Sequence, residues 1–186
     1  MTTHLSGDPM KNNIEQKQNY LCAAYDQYAD QIYRYCLLRI RSPEQAEDIL
    51  QETFIKVWKY LLRDKEIQDI RSFLFRVSRN LLIDHYRKRA TKNKREEPLE
   101  EAWQKKQNLK HLSVDQETIN ETQEDIKDVY QTISLLPNKY QDVIIFRYLE
   151  EMPPKEIAKV LNTTPKNVSA TIDRAKRRIK KIRNKQ

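Results

Sequence analysis

Lys155–Arg178 reads KEIAKVLNTTPKNVSATIDRAKRR. Ile157, Ala158 and Leu161 mark one face of a short helix, and Pro154 fits its first turn, where no N–H is missed. Asn162 falls where the chain must reverse, and Asn tolerates a left-handed backbone better than other non-glycine residues. Thr164 is placed to cap a second helix that starts at Pro165. Val168, Ile172, Ala175, Ile179 and Ile182 recur at alternating spacings of four and three, so this helix has one buried stripe. The spacing predicts a helix-turn-helix. The stripe leaves Lys166, Asn167, Ala170, Asp173, Arg174 and Arg177 facing out, with Ser169 and Thr171 at its flanks. In a helix-turn-helix the second helix enters the major groove, its first half reads base edges, and basic residues beyond it meet phosphates.

The composition agrees with an all-α chain. Only one glycine, Gly7, occurs in 186 residues, which excludes Gly-rich phosphate loops and leaves little for β-turns. The formal net charge of +8 suits a polyanionic partner. Cys22 and Cys36 lie in apolar helical context without CxxC spacing, so both are expected to be buried free thiols. His4, His85 and His111 are scattered, so no metal site and no cofactor is expected. No stretch approaches the ~20 apolar residues of a membrane span, and no signal-peptide pattern opens the chain, so a cytoplasmic location is expected.

Outward from the helix-turn-helix, the chain divides into four parts. Residues 1–13 are polar and expected to be disordered. Residues 14–95 carry helical apolar spacing. Residues 96–122 are acidic, contain Pro98 and read as a flexible linker. Residues 123–186 form a second helical domain, in which Ile126, Val129, Tyr130 and Ile133 face inward before Pro137 breaks the helix, and Tyr140, Ile144 and Tyr148 line up after it.

Within the first domain, AEDILQETFIKVWKYL (Ala46–Leu61) has a broad core stripe of Ala46, Ile49, Leu50, Phe54, Val57, Trp58 and Leu61. Its other side carries Glu47, Asp48, Gln51, Glu52, Ile55 and Lys56. Acids in the first turns suit the helix dipole. An apolar Ile55 among them does not follow from that and points to a protein partner. In IRSFLFRVSRNLLIDHYRKR (Ile70–Arg89), Ile70, Phe73, Leu74, Val77 and Leu81 are expected in the core. A second stripe carries Arg76, Arg79, Asn80, Ile83 and Arg87, with Phe75, Leu82 and Tyr86 between. Arginines beside aromatics suit single-stranded nucleic acid, although a solvated charged face has the same composition.

These segments, followed by LPNKYQDVIIFRYLEEMPPKEIAKVL (Leu136–Leu161) and the helix-turn-helix, resemble a bacterial RNA polymerase sigma factor of the extracytoplasmic-function group. The resemblance covers most of residues 14–184. It implies two small helical domains, regions 2 and 4 of the sigma-70 family, and a protein that directs core polymerase to promoters and opens DNA without itself being an enzyme. It implies that Glu47, Asp48, Gln51, Glu52, Ile55 and Lys56 dock on the β′ clamp. Arg76, Arg79, Asn80 and Arg87 then contact the −10 non-template strand, and Leu62–Asp69 matches the loop that cradles a flipped base. Lys166, Asn167, Ser169, Ala170, Asp173, Arg174 and Arg177 face the −35 element, and the same domain touches the β flap. An inhibitory anti-sigma protein is a further expected partner. Two departures stand out. Pro153 replaces a capping Ser, and NVSAT (Asn167–Thr171) stands where the family often has TVKSR or TVRSR. A different −35 sequence, or weak dependence on one, is expected. The competing reading is a stand-alone helix-turn-helix regulator, which has no need of the Glu47–Lys56 face. A nuclease or recombinase would need clustered acids, and Asp84 with His85 is too sparse.

Overall fold

The computed structural model describes residues 14–40, 42–96 and 132–184. The expected N-terminal tail, the linker and the first residues of the second domain, including Ile126, Val129 and Tyr130, lie outside them. Every regular element among the described residues is helical, as the composition requires: α1 (Ile14–Ile40), α2 (Pro43–Leu61), α3 (Ile70–Glu96), α4 (Asn138–Ile144), a π-helical turn (Ile145–Leu149), α5 (Pro154–Leu161) and α6 (Pro165–Arg183).

Local chemistry sets the helix ends. Ser42 accepts a hydrogen bond from the Gln45 amide at 3.4 Å and Pro43 occupies the first turn of α2. Asp69 caps α3, accepting from the Ser72 amide at 3.1 Å and its hydroxyl at 2.9 Å. Burial opposes the charge on Asp69, but hydrogen bonds from Lys159 and Ser72 outweigh it and hold the carboxyl below its ordinary range. Pro137 starts α4 with φ −55° and ψ 145°, as a helix breaker should.

The α1–α3 bundle packs on Ile32, Tyr35, Cys36, Ala46, Val57, Leu61 and Leu74. Thr53, absent from the apolar stripe read in the sequence, is fully buried in α2, because its hydroxyl is satisfied by donating to the Ile49 carbonyl at 2.7 Å. Trp58, expected in the core, is only partly buried.

The two halves share one core. Tyr35 of α1, Phe75 of α3 and Phe146 of the π-helical turn are each fully buried, with ring centroids 4.8 to 5.8 Å apart. This corrects the reading of α3. Phe75 and Leu82, expected between its stripes, are among its most buried residues, while Ile70, Phe73, Val77 and Leu81 are only partly covered. The stripe spacing alone implies a helix packed on one side, whereas α3 packs against α1, α2 and α5.

The π-helical turn corrects a second expectation. Ile133 and Ile144 are buried as expected, but Tyr148 is 48% exposed. The Glu150 amide donates to the Ile145 carbonyl five residues back, at 3.0 Å. The wider turn breaks the spacing of four that aligned Tyr148 with Tyr140 and Ile144, and brings Ile145 and Phe146 inward instead.

The cysteines differ. Cys36 is buried as expected, and burial pushes its thiol up to about 12. Cys22 is exposed, on the solvent side of α1, contrary to expectation. An aromatic-disulfide reagent is therefore expected to titrate Cys22 alone in the native chain and both thiols in denaturant; two fast-reacting native thiols would contradict the packing of α1.

Candidate nucleic-acid interface

The helix-turn-helix is α5 and α6. Asn162 adopts φ 51° and ψ 53°, the left-handed conformation that its place in the turn required. The Thr164 hydroxyl accepts from the Asn167 amide at 3.2 Å, and Pro165 opens α6. Pro153 precedes α5 with no side-chain cap, which follows from its lack of a hydroxyl. Val168, Ile172 and Ala175 are buried, while Ile179 and Ile182 are partly covered toward the end of the helix.

This packing leaves the expected reading face open. Lys166, Asn167, Ser169, Asp173, Arg174 and Arg177 are exposed and Ala170 is half-buried. Two hydroxyls on that face are turned back onto their own helix. Ser169 donates to the Pro165 carbonyl at 3.1 Å and Thr171 to the Asn167 carbonyl at 2.7 Å. In that rotamer each offers a groove only an oxygen acceptor, where a Lys or Arg would offer a charged donor. Asn167 is also engaged, its side-chain amide donating to the Thr163 hydroxyl at 3.3 Å.

The α2 face is equally open. Glu47, Asp48, Gln51, Ile55 and Lys56 are exposed and Glu52 is half-buried. Ile55 keeps 45% of its surface exposed. Glu52 and Lys56 approach to 3.9 Å, a loose pair that solvent weakens further.

The α3 stripe is divided. Arg76 and Asn80 are exposed, with the Arg76 guanidinium 5.1 Å from the Phe73 ring centroid. Arg87 is exposed and pairs with Asp84 at 3.1 Å. Arg79, expected to face solvent with them, turns instead to the C-terminal half, where its Nε donates to Asp142 Oδ2 at 2.8 Å. The segment between α2 and α3 is irregular. Ile67 anchors it in the core, Asp64 takes a positive φ of 53°, and Lys17 binds the Asp64 carboxylate.

Asp142 and its neighbours were not singled out in the sequence. The available signal was a lone carboxylate in the otherwise apolar run DVIIF, a charge on a face that must be buried.

Residues 24–92 match the family model described as Sigma-70 region 2, and residues 126–179 match that described as Sigma-70, region 4. The chain belongs to the sigma-70 family. Its relatives place it in the extracytoplasmic-function (ECF) group. It is 28% identical to the ECF RNA polymerase sigma factor SigM of Bacillus subtilis (strain 168), over 87% of this chain and 93% of that one. It is 29% identical to SigW of the same organism, over 92% and 95%. Among solved structures, CnrH, in complex with the cytosolic domain of CnrY, has a TM-score of 0.66 at 18% identity, covering 95% of this chain and 93% of that one. The sigma factor RpoE of Bartonella quintana, in complex with the anti-sigma factor NepR, has a TM-score of 0.68 at 15% identity, covering 87% and 95%. The two-domain helical fold of this sigma factor is shared with them.

The left-handed turn gives a direct test of the reading unit. Asn162→Ala places a Cβ where it crowds the backbone and is expected to cost about 1 kcal/mol, lowering Tm by roughly 2–4 °C, while Asn162→Gly holds or raises it. Thermal denaturation of the two variants measures this, and equal Tm values would contradict the turn geometry.

Proposed function

We infer that this chain is a promoter-specificity subunit, an ECF sigma factor that lends sequence recognition and strand opening to core RNA polymerase. The observation that carries the reading is the pairing, in one chain, of sigma-70 region 2 and region 4 in that order. An open α2 face and an open α6 face on the same molecule support it.

On this reading residues 14–95 bind polymerase and open the −10 element, residues 96–122 connect, and residues 123–186 read the −35 element. Glu47, Asp48, Gln51, Glu52, Ile55 and Lys56 meet the β′ clamp, and the exposed Ile55 supplies an apolar centre to a polar patch. Arg76, Asn80 and Arg87 stand ready for the non-template strand, with Arg79 joining once it leaves Asp142. The α6 face enters the major groove while the basic residues of its last turns meet phosphates. The protein lends recognition to a catalytic partner and needs no reaction centre of its own. No helix among the described residues is long and apolar enough to cross a membrane. The chain works beside polymerase in the cytoplasm. An anti-sigma protein, like the NepR bound to RpoE, is a fitting inhibitor. A stand-alone regulator would make no use of the α2 face.

Purified chain is expected to co-elute with bacterial core RNA polymerase, and Gln51→Ala/Glu52→Ala to weaken that association about tenfold or more. A wild-type chain that binds duplex DNA and ignores polymerase would overturn the reading. In reconstituted transcription, promoters with the family's ordinary −35 motif are expected to be used weakly. Ser169→Lys/Thr171→Arg should raise their use about tenfold, in line with ~1–3 kcal/mol per good base contact. Strong use by the wild type would show that the α6 face reads the ordinary motif after all.

A further inference from the structure

The chain turns between α2 and α3 without a glycine, and a lysine of α1 holds the turn. The last amides of α2 tighten first. Leu62 donates to the Trp58 carbonyl at 2.9 Å, Arg63 to Tyr60 at 3.2 Å and Asp64 to Leu61 at 3.0 Å. Asp64 then takes φ 53°, the left-handed conformation that glycine usually supplies at a helix end. Gly7 is the chain's only glycine, and any other residue adopts this conformation at a cost. The Lys17 amine donates to the Asp64 carboxylate. The Lys17 side chain is 7% exposed and that of Asp64 56%. A lysine so deeply covered needs an acceptor for its charge, so the bond fixes the turn to α1.

The far end of the segment is pinned as well. Ile67 is 9% exposed, and Asp69 caps α3 through Ser72 at 2.9 and 3.1 Å. Between these anchors Lys65, Glu66 and Gln68 face solvent. Lys65 follows Asp64 directly, so the left-handed turn sets where its side chain departs. Its Nζ lies 5.4 Å from the Tyr60 ring centroid. Tyr60 lies 4.7 Å from Phe73, and the Arg76 guanidinium lies 5.1 Å from the Phe73 centroid on α3. Lys65, Tyr60, Phe73 and Arg76 thus form one row. Phe73, Arg76, Asn80, Ile83 and Arg87, at alternating spacings of three and four, carry it along α3 for about 21 Å at 1.5 Å per residue. Ile83 keeps 43% of its surface exposed.

Two half-buried rings between two exposed cations suit a single strand, whose bases stack on aromatics and whose phosphates meet the cations. A solvated charged face has no use for a fixed order of cation, ring, ring and cation. It also has no use for a buried lysine spent on the turn that starts the row. A turn set before the strand arrives loses less conformational freedom on binding, which favours recognition.

We propose that Lys17 is a positioning residue for strand recognition: from α1 it holds Asp64 left-handed and so sets Lys65 at the head of the row Lys65–Tyr60–Phe73–Arg76, along which the unpaired non-template strand of the −10 element lies. The proposal rests on the sigma reading. Lys17 itself touches no DNA and acts through Asp64.

The test loads the full-length chain onto bacterial core polymerase and presents forked DNA whose single-stranded non-template −10 segment is randomised. The retained strands are sequenced, and affinity for core polymerase is measured alongside. The wild type is expected to enrich one motif. Lys17→Met and Asp64→Ala should lower that enrichment roughly tenfold, the effect of one lost base contact, at unchanged affinity for polymerase. Asp64→Asn, which keeps an acceptor and tolerates the left-handed backbone, should recover what Asp64→Ala loses. Lys65→Gln should lower the enrichment with the turn intact. If Lys17→Met fails to fold, Asp64→Ala and its Asn counterpart decide. Unchanged enrichment in Asp64→Ala or Lys65→Gln overturns the proposal. So does a loss that runs in step with polymerase affinity, since Lys17 would then only hold the bundle together. A wild type that binds polymerase and enriches no motif overturns the row. A wild type that does not bind polymerase overturns the sigma reading itself.

Discussion

Asp142 carries a carboxylate into a place with 2% exposure, and the surrounding structure is arranged to answer it. A carboxylate at such a depth is tolerable only when its oxygens are bound. Tyr35 and Arg79 bind them directly, and Arg39 stands beside both while also donating to Gln141 Oε1 at 2.9 Å. Those side chains come from α1 and α3, so satisfying one charge in α4 fixes where α4 lies on those two helices. The aromatic contact of Tyr35, Phe75 and Phe146 follows from that placement and closes the space beneath the charged layer.

The same layer sets burial elsewhere. Glu150 has a side chain only 1% exposed, and burial raises its carboxyl above the ordinary range although Arg34 pulls it down. Burial likewise pushes the Tyr35 hydroxyl well above its usual value, and the neighbouring Asp142 adds to the effect. The charged layer gives direction and register, and the aromatic core beneath it supplies adhesion.

The parts of the fold legible in the sequence were those written in local spacing. The α2 stripe, the Thr164 cap, the left-handed Asn162 and the open faces of α2 and α6 each follow from residues within two or three turns of one another. What was not legible depended on distant partners. Arg79 and Asp142 are 63 residues apart, and Arg34 and Glu150 are 116 apart. Periodicity in α3 could show that Phe75 and Leu82 lay beside the expected stripe. It could not show that a second body covers them. Cys22 departs from expectation for a related reason: an apolar neighbourhood along the chain does not reveal which side of a long helix meets solvent. The stripe of Arg76, Arg79, Asn80 and Arg87 follows from spacing and its −10 role from the resemblance, whereas the turn of Arg79 toward Asp142 depends on a residue outside α3.

The π-helical turn at Ile145–Leu149 has a consequence for how this segment can vary in length. A π-turn is an α-helix holding one residue more than its pitch accommodates, in effect an insertion absorbed without a loop. Removing a single residue there would restore the ordinary ladder, rotating everything that follows by about 100° relative to α4. Tyr148 would swing under the helix, and α5 and α6 would turn away from α3 and from the arginines they now meet. The aim of the DNA-reading unit against the first domain is thus encoded in a count of residues as much as in their identity. Substitutions along this turn are a gentler change than any deletion within it.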